Sequence, residues 1–162
     1  MDDCQYLFVY GSLKKGFKNE HILQDYTFLS TCSTLEKYEM YPTSCYSFPC
    51  LFISDREIAK SVKGELYKVN NELLKILDIF EGVNSGFYSR EKISVTVHNN
   101  TLMAFCYVTN TTDDIISNID LIPSPLQEWT IEYENCAKEL ELYSLILKDS
   151  VLNRNIKQKE VL

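Results

Sequence analysis

One helical stretch stands alone in the middle of this chain, and the other apolar residues come mostly in short β-type runs. This arrangement narrows the fold more than any other feature. Leu73, Leu74, Ile76, Leu77 and Phe80 recur at helical spacing; Asn70-Asn71 can cap the stretch and Gly82 supplies its stop. Before it, Gln5 to Tyr10 is an aromatic and β-branched run ended by Gly11. Phe28 to Met40 reads as extended with Ser and Thr interleaved, and Val62 to Val69 as a further strand. After it, Phe87 to Val97 and Leu102 to Thr109 read as a hairpin across His98-Asn99-Asn100-Thr101. Lys14 to Asn19 is a polar loop, and His21, Ile22 and Leu23 start a short helix. Tyr41-Pro42 and Phe48-Pro49 punctuate the segment between the strands, and Pro125 to Leu147 turns helical again. Strands on both sides of one helix, without a regular βαβα order, predict an α+β fold: a curved, mostly antiparallel sheet or partial barrel with a helix packed on it.

The 162 residues suit one domain, taken as residues 1–150, with residues 151–162 as a polar, frayed tail. A net charge of -7 with no basic stripe argues against nucleic acid and anionic lipid as partners. No apolar run approaches the ~18 residues that span a bilayer, and the acidic start Met1-Asp2-Asp3-Cys4 is unlike a secretory leader. The six cysteines show neither a CxxC pair nor disulfide spacing. Free thiols in a reducing cytosol are the expectation, and the sequons at Asn99 and Asn110 are then chance matches.

Two features carry chemistry. Tyr10-Gly11-Ser12-Leu13-Lys14-Lys15-Gly16 follows a buried strand directly. Glycine there lets the backbone come close to a ligand, and successive N–H groups can form a nest for a carboxylate. Ser12 adds a hydroxyl, and Lys14 or Lys15 a positive field. Phe17 stands where a P-loop requires lysine, so the segment is not one. The plain alternative is a tight turn that ends a strand.

The second feature is Glu81. At roughly 100° per residue it falls inside the apolar arc of its helix, between Leu77 and Leu74. A carboxylate there is costly unless it is paired or used. Burial and the helix C-terminus both raise its pKa, as suits a general base that later returns its proton. The plain alternative is an ion pair with Arg90 or Lys92 at the domain edge. Tyr88 and Tyr107, on adjacent strands, could line a pocket nearby and donate their hydroxyls.

Leu7 to Gly16 resembles the opening strand and turn of the γ-glutamyl cyclotransferase-like family, which includes the γ-glutamylamine cyclotransferases and avirulence-induced-gene-like proteins. Val62-Lys63-Gly64-Glu65-Leu66-Tyr67 resembles its central strand. Leu77 to Gly82, followed by Tyr88-Ser89-Arg90, is similar to its catalytic-glutamate segment. Phe48-Pro49-Cys50-Leu51 and Phe105-Cys106-Tyr107-Val108 also fit, so the likeness runs from Leu7 to Thr109. The resemblance implies a small mixed, mostly antiparallel β-barrel with flanking helices. It implies an enzyme that cyclises a γ-glutamyl group to 5-oxoproline and releases the attached amine or amino acid. Carried over, Glu81 is the acid/base, the backbone at Gly11, Ser12 and Leu13, after Tyr10, holds the substrate's α-carboxylate, and Tyr88 and Tyr107 stand at the pocket. The helix after Thr109 could shape the leaving-group pocket, and Asp113 to Pro125 a flexible segment over the site.

Such chemistry needs no cofactor and no metal, and two histidines (His21, His98) are too few for a convincing metal site. Its partner is a small γ-glutamyl molecule. The first rival reading is a non-catalytic domain of the same fold that binds an acidic metabolite or a protein. Another rival is a thiol redox protein using Cys45 and Cys50, although nothing near them looks built to lower a thiol pKa.

Overall fold

The computed structural model describes residues 3–43, 48–117 and 124–135. The strands are β1 (Cys4–Val9), β2 (Thr27–Thr34), β3 (Tyr38–Pro42), β4 (Pro49–Ile53), β5 (Lys63–Asn70), β6 (Tyr88–Val97) and β7 (Asn100–Thr109). The helices are α1 (Asn71–Phe80) and the short α2 (Asp113–Ser117), with a 3-10 turn at Glu20–Leu23. Five strands close a barrel in the order β1-β5-β2-β6-β7, while β3 and β4 form a separate two-stranded sheet. All barrel pairings are antiparallel except the closing one, where β1 meets β7 in parallel at Leu7↔Phe105. The fold is therefore the expected mixed, mostly antiparallel barrel.

The strands owe their placement to period-two patterning. Phe8 faces Leu66 across β1 and β5 and, with Ala104, Cys106 and Val108 of β7, belongs to the core inside the barrel. The alternate residues Leu7, Val9, Tyr67 and Tyr107 pack instead with Leu73, Leu74 and Leu77 of α1. Successive residues of the same strands thus serve two cores, and α1 is fixed on the barrel wall beside the end of β1.

The helix begins as read, with the Asn70 side chain accepting from the Leu73 N–H at 2.9 Å. Its buried stripe is narrower than expected. Leu73, Leu74 and Leu77 are buried, but Ile76 is 58% exposed and Phe80 47% exposed. A single helix on a curved wall contacts it along one line only, so the flanks of the apolar arc remain outside.

Other differences have local causes. The extended stretch from Phe28 to Met40 is two strands in two sheets, broken after Thr34. There the Thr34 hydroxyl donates to the Glu36 carbonyl at 2.7 Å and accepts from the Val62 N–H at 2.9 Å, replacing ladder bonds. Pro42 and Pro49 do not separate strands; they face each other at the end of the β3–β4 pair, a position that needs no N–H. The hairpin turn is only His98-Asn99, both at positive φ (45° and 68°), so β7 already starts at Asn100. Residues 125–130 are not helical, as the reading of Pro125 to Leu147 required; helix is present at 131–135. Residues 125–130 instead lie along the barrel, with Leu126 N–H donating to Met40 and Lys63 N–H to Gln127, and Trp129 is fully buried in the barrel core. The segment proposed to lie flexibly over the site opens as α2, with Ile115 packed against Tyr41, Cys50 and Phe52. The rest of the expected C-terminal helix and the polar tail lie outside the described residues. No helix among the described residues is long and apolar enough to cross a membrane.

Candidate active site

Where β1 ends beside the C-terminus of α1, a cavity of about 550 Å³ opens. Its lining includes the turn Tyr10-Gly11-Ser12-Leu13 and the end of α1 at Phe80, Glu81 and Gly82. Tyr88 and Tyr107 also line it. All seven residues singled out from the sequence therefore face one cavity.

The turn gets its shape from two devices. Gly11 packs against Pro49, where a Cβ would lie 2.9 Å from the proline Cγ. The need for glycine is thus close approach to β4 rather than an unusual backbone angle. Asn19 then returns to the turn: its N–H donates to the Ser12 carbonyl and its Nδ2 to the Ser12 Oγ, both at 2.9 Å. The N–H groups of Gly11, Ser12 and Leu13 have no acceptor among the described residues.

Glu81 is placed by the way α1 stops. Gly82, at φ +66°, donates to Ile79, and Val83 N–H donates to the Asp78 carbonyl at 2.9 Å. These two bonds make a Schellman ending with Glu81 as its C-cap. Burial pushes the Glu81 carboxyl up to about 7. The edge ion pair weighed from the sequence is absent: Arg90 meets Asp78 at 3.3 Å and Lys92 lies over the Phe105 ring. Among the described residues, nothing pairs with the Glu81 carboxylate.

The phenols are committed to the scaffold. Tyr88 donates to the Pro49 carbonyl at 2.8 Å and Tyr10 to the Tyr107 carbonyl at 2.6 Å. The Tyr107 hydroxyl lies 2.8 Å from Asp78 Oδ1 and 3.2 Å from the Leu74 carbonyl. Burial raises all three, and the charge of Glu81 raises them further. Their protons are engaged, which corrects the expectation that Tyr88 and Tyr107 have hydroxyls free to donate; toward a ligand each remains an acceptor and an apolar ring.

Neither Lys14 nor Lys15, considered from the sequence as a source of positive field, is among the residues lining the cavity. Lys14 is buried, with Nζ donating to the Trp129 carbonyl at 2.5 Å, and burial lowers its pKa against the pull of Glu128, Glu65 and Glu134. The backbone N–H of Lys15 donates to the Glu65 carboxylate at 2.9 Å. The lysine at the cavity is Lys18, beside Asn19, and Phe48, Pro49 and Phe87 form an apolar wall. Sequence reasoning gave this set no role at the site; Phe48-Pro49 entered it only as punctuation between strands and as part of the family resemblance. No group able to hold a metal ion occurs among the described residues. Of the thiols, Cys50 is pushed up to about 11 by burial, and Cys106 is raised further by burial and then by Glu81. Neither is poised for thiolate chemistry, and Cys45 lies outside the described residues.

Residues 7–130 match the family model described as gamma-glutamyl cyclotransferase, AIG2-like. The chain belongs to this family. The match extends beyond Thr109, where the resemblance read from the sequence stopped, and takes in the segment that carries Trp129. Gamma-glutamylaminecyclotransferase A of Danio rerio is 33% identical over 118 residues, 68% of this chain and 72% of that protein. A Methanocaldococcus jannaschii relative is 38% identical over 92 residues, 56% of this chain and 72% of its own. An Arabidopsis thaliana relative is matched over 49% of its length. The crystal structure of an AIG2-like protein from Mus musculus superposes with a TM-score of 0.65 at 22% identity, covering 78% of this chain and 88% of that one, a likeness of fold. Family membership makes the chain a gamma-glutamyl cyclotransferase-type enzyme.

Proposed function

We propose that the cavity cyclises the γ-glutamyl group of a γ-glutamyl amine or γ-glutamyl amino acid to 5-oxoproline, with Glu81 as general acid and base. The observation that carries this reading is a carboxyl raised to about 7 in the same cavity as a turn whose three N–H groups, like that carboxyl, find no partner among the described residues. The amides of Gly11, Ser12 and Leu13 would hold the substrate's α-carboxylate. The nucleophile is the substrate's own α-amine, so no serine or cysteine is needed. Glu81 takes a proton from the ammonium, and the freed nitrogen attacks the γ-carbonyl carbon. A C–N bond forms and the carbonyl oxygen becomes an oxyanion. The oxyanion then collapses as Glu81 gives the leaving nitrogen its proton and the C–N bond to it breaks. The second proton of the ring nitrogen passes through Glu81 to the released amine, which leaves as an ammonium with Glu81 ionised again. No water is consumed. Fixing the carboxylate at one end holds the chain curled with nitrogen near carbon, which removes entropy from the barrier. A domain that only binds has no use for a carboxylate kept at this cost, which weighs against the non-catalytic reading.

The test is release of 5-oxoproline from a panel of γ-glutamyl amines, γ-glutamyl dipeptides and glutathione. At least one member should turn over, and Glu81→Gln should lower that turnover by about 10²–10⁴. Full activity in Glu81→Gln would overturn the role of Glu81, and an inert wild-type protein that still binds 5-oxoproline would favour the binding domain.

A further inference from the structure

Glu134 is fully buried, although nothing in the proposed chemistry uses it. It sits on the helical residues 131–135, just past the end of the family match at 130. One carboxyl oxygen accepts from the Lys18 N–H at 2.8 Å and the other from the Trp129 indole N–H at 2.9 Å. Trp129 is itself fully buried in the barrel core, and its carbonyl accepts from Lys14 Nζ at 2.5 Å. Lys14 and Lys18 are the two shoulders of the loop that follows the turn. The residue after Lys18 is Asn19, whose backbone and side chain both bind Ser12. A continuous set of bonds thus runs from the barrel core through Glu134 to the turn.

We propose that Glu134 is a positioning residue for the γ-glutamyl end of the cavity. It anchors the Lys14–Asn19 loop to the rigid Trp129, so that Asn19 holds Ser12 and the turn presents its amides in one geometry. The proposal rests on the reading of the turn as the α-carboxylate site. A carboxylate suits the task because it offers two acceptor oxygens, one for each N–H donor, where an amide or a hydroxyl offers only one. A bond to a charged acceptor is also stronger than a neutral one. Burial of such a group is expensive unless every bond is made, which accounts for the fixed geometry on both oxygens.

The experiment compares Glu134→Gln and Glu134→Ala with Glu39→Gln. Glu39 is a second buried carboxylate, bonded to Tyr41, Ser54 and Arg56 in the β3–β4 sheet, and is not among the cavity-lining residues. KM and kcat are measured on the panel member turned over fastest by the wild type, together with amide hydrogen exchange. In Glu134→Ala, KM should rise at least about tenfold while kcat stays within a few-fold. Glu134→Gln, which keeps one acceptor oxygen, should lie between. Exchange of the Asn19 N–H, bonded to Ser12 rather than to Glu134, should accelerate in both variants while the β6–β7 hairpin keeps its protection. Glu39→Gln should change neither KM nor Asn19 exchange. An unchanged KM, or exchange that quickens equally across the barrel, would overturn the proposal. If Glu134→Ala fails to fold, the glutamine variant decides by the same criteria. If the wild type turns over nothing, the cyclotransferase reading fails separately, and Asn19 exchange alone judges whether Glu134 fixes the turn.

Discussion

The Tyr107 hydroxyl of β7 lies 2.8 Å from Asp78 of α1, three residues before Glu81. The other Asp78 oxygen meets Arg90 of β6 at 3.3 Å. The last turn of α1 is therefore tied to two neighbouring strands, and the residue at its end inherits that placement. Tyr107→Phe should cost about 1–2 kcal/mol of stability, since it removes a buried hydrogen bond. It should also lower kcat about tenfold through a misplaced Glu81. Arg90→Gln should cost less than about 1 kcal/mol, because that pair is partly exposed. Thermal denaturation and turnover of the two variants check this. A Tyr107→Phe protein with wild-type kcat would show that the tie does not position Glu81.

The pH dependence of turnover follows from the Glu81 carboxyl at about 7, raised by burial. As a base it must be ionised in the free enzyme. The plot of kcat/KM against pH should rise toward neutrality with an apparent pKa near 7 and then level. Glu81→Gln should lower kcat by about 10²–10⁴ and remove this limb from any residual activity. A limb that survives unshifted in the glutamine variant would assign the titration to another group.

Stability should carry the same signature with the opposite benefit. The folded value of about 7 lies above the ordinary 4.5. Folding therefore favours the protonated form, and ionisation opposes it. The penalty is absent below about pH 4.5, grows as pH rises, and is complete above about pH 7. Its ceiling is about 3 kcal/mol. Glu81→Gln should then match the wild type near pH 4.5 and exceed it by about 1–3 kcal/mol at pH 8, measured by denaturant melts. Equal stability of the two proteins at pH 8 would mean that the carboxylate is solvated in the folded state.

The parts of the fold that were legible in the sequence are those specified by nearest neighbours along the chain. Asn70 before Leu73 and Gly82 after Phe80 determine both ends of α1 with bonds three to five residues long. Glu81 stood out because a helix repeats every 3.6 residues, so one charge in the apolar arc is visible without coordinates. Closure of the barrel was not legible bottom-up, since it depends on β1 reaching β7 nearly a hundred residues later. Lys14 and Lys15 were considered at the turn, and Lys18 was not, for a similar reason. Which lysine faces the cavity is decided by Trp129 and Glu134, more than a hundred residues away. The exposure of Ile76 and Phe80 reflects the curvature of the surface beneath α1, which no helical wheel contains.

Two glycines near the site should respond differently to alanine, because different forces require them. At Gly82 the requirement is the backbone angle: φ is +66°, and a Cβ would lie 2.8 Å from the Ser85 Oγ, the end of a side chain that can move. Gly82→Ala should cost about 1–2 kcal/mol, the left-handed penalty of an L-residue. At Gly11 the requirement is space, since a Cβ would lie 2.9 Å and 3.1 Å from two atoms of the Pro49 ring. That ring cannot rotate away, so the turn or the start of β4 must move. Both border the cavity. Gly11→Ala should therefore raise KM for a γ-glutamyl substrate about tenfold or more, beyond what its loss of stability explains. Paired measurements of KM and denaturation midpoint on the two variants separate the cases. If Gly11→Ala binds substrate as tightly as the wild type, the turn tolerates displacement and cannot be the fixed end against which the substrate curls.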